Sequence, residues 1–166
     1  MARVDLLRSL PKSRRNVNAR AAAKTPEMIA VIREFGEVYF DGPREYGYGG
    51  YRYDGRWIPV ARDMVAHFGL KPGMKVLDVG CAKGFLVADL MRVCPGLEVY
   101  GLDFSDYALR KAEAGLEGRL IRGTCEQLPF ADATFDAVIS LNTLHNQGRD
   151  GVVRSLREIV RVGKSQ

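Results

Sequence analysis

One stretch constrains this chain more than any other. Val76-Leu77-Asp78-Val79-Gly80 is a short apolar run ending in an acid and a glycine, and Cys81-Ala82-Lys83-Gly84 then opens a helical pattern that Pro95-Gly96 closes. Such a strand, tight turn and helix predicts a parallel strand with its ligand turn. The pattern repeats: strand Glu98–Leu102, helix Ser105–Ala114, strand Arg119–Gly123, strand Phe135–Leu141 and a final helix Gly151–Val162. Alternating strands and helices predict an α/β fold with a parallel sheet of about four strands. Ala137-Val138-Ile139 is expected to be buried on both faces, and Val152, Leu156, Ile159 and Val160 to form the apolar stripe of the last helix.

Three segments follow from the patterning: a basic leader at 1–24, a helical cap at 25–69 and the α/β domain at 70–166. The leader carries seven basic residues and one acid, a net +6, and the remaining 142 residues sum to −1. It is expected to be flexible and solvated; as a nucleic-acid arm it lacks interleaved aromatic residues for stacking. In the cap, Thr25-Pro26-Glu27 is a helix start. Met28, Ile32, Phe35 and Tyr39 predict one helical face, ended by Asp41-Gly42-Pro43. Four of seven tyrosines and the single tryptophan then lie within Tyr46–Trp57, where glycines predict a loop. A further helix is expected over Pro59–Phe68, with His67 at the edge of its apolar stripe and half-buried.

Several classes are excluded. No apolar run reaches the roughly 20 residues of a bilayer span, and no apolar stretch follows the basic start as a secretory signal requires. Three widely spaced cysteines and two histidines give neither a disulfide framework nor a metal-ligand pattern, so no metal is expected and a reducing, cytoplasmic setting is the simplest reading.

In a parallel sheet the ligand sits at the carboxyl ends of the strands. Three features fall there: the turn Asp78–Gly84; Asp103, 19 residues after Gly84 and suited to ribose hydroxyls; and the loop Thr124–Phe130. A dinucleotide turn needs three glycines, and two of the three are missing here. Asp78 would repel a pyrophosphate and favour a cationic ligand. S-adenosylmethionine, with its ribose diol, sulfonium and amino-acid tail, fits these loops.

Val76–Gly84 resembles the first motif of class I S-adenosylmethionine-dependent methyltransferases. Val99-Tyr100-Gly101-Leu102-Asp103-Phe104-Ser105 resembles the second, and Gln127-Leu128-Pro129-Phe130 with Phe135–Ser140 resembles the stretch around strands three and four. The resemblance spans residues 70–163 and implies a Rossmann-like sheet of order 3-2-1-4, with S-adenosylmethionine as cofactor. By the same resemblance, Gly80, Ala82 and Gly84 would let the backbone pass the methionyl part, beside Cys81. Asp78 would hold the turn and meet the ammonium, and Asp103 would take the ribose with Phe104 beside the adenine. Cys125 and Glu126 would meet the adenine edge, and Asn142 the methionyl tail or methyl group. Thr124 departs from the family, many of whose members carry an aspartate there.

The family fold has seven strands, and the chain reaches Gly163-Lys164-Ser165-Gln166 where the fifth would begin. The expectation is therefore a C-terminally incomplete domain with an open strand-four edge, a route to a homodimer or partner. The implied activity is methyl transfer to a small-molecule or glycan acceptor; the alternative is a non-catalytic cofactor-binding subunit acting through a partner. His145 is a candidate general base, or else a structural histidine capping its loop. Tyr46, Tyr48 and Tyr51 are candidates to shape the acceptor pocket, or else pack as an N-terminal cap. Lys83 can steady a carboxylate or lie in solvent.

Overall fold

The structure, a computed structural model, describes residues 4–10 and 24–164. Four parallel strands form its centre: β1 (Lys75–Val79), β2 (Glu98–Asp103), β3 (Leu120–Arg122) and β4 (Ala137–Ile139), in the order β3-β2-β1-β4. Among the described residues six helices surround them: α1 (Pro26–Arg33), α2 (Glu37–Phe40), α3 (Ile58–Phe68), α4 (Phe85–Val93), α5 (Asp106–Arg110) and α6 (Arg149–Val162). The expected sheet and strand order are therefore present.

Period-two alternation sorts the strand side chains onto two faces. Val76 and Val99 join Val60, Met64, Leu86, Val87 and Leu90 of α3 and α4. Leu77, Val79 and Leu102 join Leu128, Phe135 and Val162 on the other face. Helices on both faces are what a buried parallel sheet requires.

Five expectations need correction. The predicted first helix is two helices, because Phe35 adopts a left-handed φ of 49° and Gly36 caps the start of α2. The helix expected over Ser105–Ala114 ends at Arg110. Ala137 and Val138 are only half-buried: among the described residues β4 pairs along its length with β1 alone, and an isolated parallel bridge joins Phe135 to Gly163 on its other side. On α6 the buried residues are Gly151, Ser155 and Val162, whereas Leu156 and Val160 are exposed. His67 is exposed rather than half-buried.

Of the leader, residues 4–10 are described. Leu6, Leu7 and Leu10 pack on the α3–α4 core, and Arg8 pairs with Asp63 of α3 at 3.1 Å, so this part is not a free arm. The expectation for residues 11–23 lies outside the described residues.

Candidate cofactor and acceptor pocket

The turn after β1 is built by the backbone. Gly80 and Cys81 both donate their N–H to the Leu102 carbonyl, at 2.7 and 3.1 Å, which folds the chain back across the end of β2. Gly80 has a φ of 87°, and a Cβ there would lie 1.9 Å from Thr143 Oγ1, so both conformation and space call for glycine. Ala82 adopts a φ of 50° and is held by its N–H, which donates to Asp103 Oδ2 at 2.7 Å. The other carboxylate oxygen of Asp103 accepts from the Ser105 N–H at 2.8 Å. Asp103 therefore organises the turns after β1 and β2 together.

The ends of β1 and β2 open onto a cavity of about 350 Å³. Its floor holds Asp78, Gly80, Cys81, Ala82 and Asp103. One end is lined by Phe104, Thr124, Cys125, Glu126 and Gln147, and Asn142 lies beside Thr143 in the wall after β4. An aromatic wall from the cap segment completes the lining: Phe35, Tyr39, Phe40, Tyr48, Tyr51 and Trp57. Asp78 is 4% exposed. Burial, reinforced by the charge of Asp103, pushes its carboxyl up to about 7. Burial also raises Asp103, against the pull of its backbone donors. Two destabilised carboxyls facing one cavity favour a cation. The site therefore fits S-adenosylmethionine on its own electrostatics. Among the described residues no group of His, Cys, Asp or Glu side chains is placed to hold a metal.

Most of the residues expected at the cofactor lie on this cavity. Gly84 does not: it begins α4 with a φ of 74°, and a Cβ there would meet Leu116 Cδ1 at 2.5 Å, so its role is packing. Glu126 is engaged by Arg154 at 2.6 Å. Tyr48 and Tyr51 line the pocket and Tyr46 does not. His145 sits exposed in the 3-10 turn Leu144–Asn146, between the lining residues Thr143 and Asn146, and is not itself part of the lining. Lys83 is buried rather than solvated.

Other contributors were missed. Spacing puts Phe35 and Tyr39 on one helical face and singles out nothing at Phe40; the aromatic clustering that continues through Trp57 is the available signal. Gln147 takes its place from α6, whose buried Ser155 donates to the Gln147 side-chain oxygen at 2.9 Å. Gly101 pairs with Asp78 in the sheet, and a Cβ there would meet Cys81 Sγ at 2.6 Å. Its lack of a side chain makes room for the turn under the cavity.

Comparison with known proteins follows this geometry. Residues 77–166 match the methyltransferase domain family. A sterol 24-C-methyltransferase of Gibberella zeae is 35% identical over 108 residues, covering 60% of this chain and 28% of that protein. A sterol 24-C-methyltransferase of Aspergillus fumigatus is 33% identical over 160 residues, covering 86% of this chain and 42% of that one. The curated relatives are longer, and the chain spans 28% to 42% of their lengths. A solved structure from Methanococcus maripaludis, described as an S-adenosyl-L-methionine-dependent methyltransferase, shares the fold over 94% of this chain and 64% of its own, with a TM-score of 0.58 at 20% identity.

Proposed function

Because this chain belongs to the class I S-adenosylmethionine-dependent methyltransferases, we propose that its pocket seats that cofactor over β1 and β2 and methylates an alkene carbon of an apolar, sterol-like acceptor. The observation that carries this reading is one cavity that joins the buried Asp78 and half-buried Asp103 carboxyls to a wall of six aromatic side chains. The similarity to the Aspergillus fumigatus sterol methyltransferase supports it: a match over 86% of the chain necessarily includes that wall.

The cofactor supplies an electrophilic methyl on a sulfonium. Asp78 would neutralise the amino-acid end, with the backbone of Gly80 to Ala82 beside it. Asp103 would take the ribose hydroxyls while keeping its two backbone donors, since each carboxylate oxygen accepts more than one hydrogen bond. Phe104, Thr124, Cys125, Glu126 and Gln147 would enclose the adenine, and Asn142 the methionyl side.

An alkene needs no base to attack. Its π electrons form the new carbon–carbon bond as the sulfur–methyl bond breaks, leaving a carbocation that then gives up a proton to a base or water in the pocket. Aromatic faces stabilise such a cation by about 0.5–2 kcal/mol each, and Tyr39, Tyr48, Tyr51 and Trp57 present them. Burial pushes the Tyr39 hydroxyl up to about 12, so it stays neutral.

The test is incubation with methyl-labelled S-adenosylmethionine and lanosterol, a sterol with a side-chain alkene. The expected product is a sterol heavier by one methylene, with the label on carbon. Label transferred only to oxygen or nitrogen acceptors would overturn the acceptor assignment.

A further inference from the structure

Lys83 follows the cavity-lining residues Gly80 to Ala82, yet it points away from the cofactor floor. Its side chain is 7% exposed. Nζ donates to both carboxylate oxygens of Asp41, at 2.9 and 2.7 Å, and to the Tyr51 carbonyl at 2.8 Å. Asp41 lies just after α2 and gathers two more donors: the Tyr51 N–H at 3.0 Å and the Tyr107 hydroxyl of α5 at 2.8 Å. Burial pulls the Asp41 carboxyl up, but the bonds from Lys83, Tyr107 and Tyr51 outweigh it and hold the group ionised. This charge pair, with Lys83 buried and Asp41 partly open to solvent, thus ties the turn after β1, the end of α2 and the Tyr/Gly loop together.

What hangs on this node is the aromatic wall. Tyr51 is gripped at both its N–H and its carbonyl, and its ring stacks on Phe85 at 4.8 Å, two residues beyond Lys83. Phe40 precedes Asp41 and stacks on Tyr48 at 5.8 Å. Trp57 interacts with the Tyr51 side chain. Burying the Lys83 ammonium costs desolvation that its attraction to Asp41 offsets, so the pair adds little net stability, while its five hydrogen bonds fix one arrangement of the segments it joins.

We propose that Lys83, through Asp41, is the positioning residue that sets the acceptor wall against the cofactor turn. The inference rests on the pocket reading above and adds to it which residue joins the two halves of the site. The charge pair is needed for the acceptor side and not for cofactor binding.

Trp57 is the chain's single tryptophan and lies in the wall, so its fluorescence reports the wall alone. The experiment compares wild type, Lys83→Met and the double variant Lys83→Met/Asp41→Asn. The double variant removes both charges and so avoids leaving one of them buried without its partner. Acrylamide quenching of Trp57 is measured without ligand, S-adenosylhomocysteine affinity by calorimetry and folding by thermal melting. The expected result is at least a twofold rise in the quenching constant for the folded double variant, with S-adenosylhomocysteine affinity within about threefold of wild type. Unchanged quenching in the folded variant overturns the proposal, and so does a parallel loss of cofactor affinity. If wild type itself fails to bind S-adenosylhomocysteine, the cofactor reading fails, while the ligand-free quenching comparison still decides whether Lys83 sets the wall.

Discussion

Asp78 shows how a single residue ties stability to ligand sign. Burial and the nearby Asp103 push its carboxyl up to about 7, against about 3.9 in an unfolded chain. Between these values the folded chain holds the proton and the unfolded chain does not. This contribution to stability is therefore fully present below about pH 4 and is lost as pH rises toward about 7. Asp78→Asn should stabilise the ligand-free chain by about 1–3 kcal/mol at about pH 8 and leave it nearly unchanged at about pH 4, measured by urea unfolding. The same variant should weaken S-adenosylmethionine binding, and wild-type affinity should rise with pH through the approach to 7 as Asp78 ionises. Gly101→Ala is expected to cost about 1–3 kcal/mol, because its Cβ would press on Cys81 and Leu120 within a packed turn; urea midpoints check this. Asp78 and Asp103 were legible because strand-end acids have fixed places in this topology. Gly101 was not, because its reason is the Cys81 side chain from another segment.

At the scale of elements, helix ends were read well where local capping chemistry decides them, whereas β3 and β4 are shorter at both ends than expected. Thr25 caps α1 by accepting from the Met28 N–H, Ser105 caps α5 in the same way, and Gly69 closes α3 in the left-handed region. The errors came from tertiary choices. Spacing alone joined α1 to α2, since a left-handed Phe35 carries no sequence mark. In α6 the whole periodic stripe was assigned inward, whereas of it only Ile159 packs on the core beside Val162, and the other buried residues are Gly151 and Ser155. Because Val160 is 76% exposed and Leu156 47%, Leu156→Lys and Val160→Lys should each change the stability of this chain by no more than about 0.5 kcal/mol in urea unfolding. A loss of several times that would show that these side chains are covered.

For the whole molecule, the sheet and the aromatic wall have separate origins in the sequence. The sheet follows from periodicity, and the strand order appeared as expected. The wall draws on α1, α2 and the loop to Trp57, and its assembly depends on long-range contacts such as Lys83 with Asp41, 42 residues apart. Tyrosines crowded into twelve residues signalled a wall without saying which ones face inward; Tyr48 and Tyr51 do, and Tyr46 does not. The proposed function requires the cavity at the ends of β1 and β2 to be a cofactor site organised by Asp103. Calorimetric titration with S-adenosylhomocysteine, on wild type and Asp103→Asn, tests it most directly. The account predicts micromolar binding by wild type and a loss of about tenfold or more in the variant, as expected when a charged hydrogen-bond acceptor is neutralised. Equal affinity in the two folded proteins, or none in wild type, would contradict it.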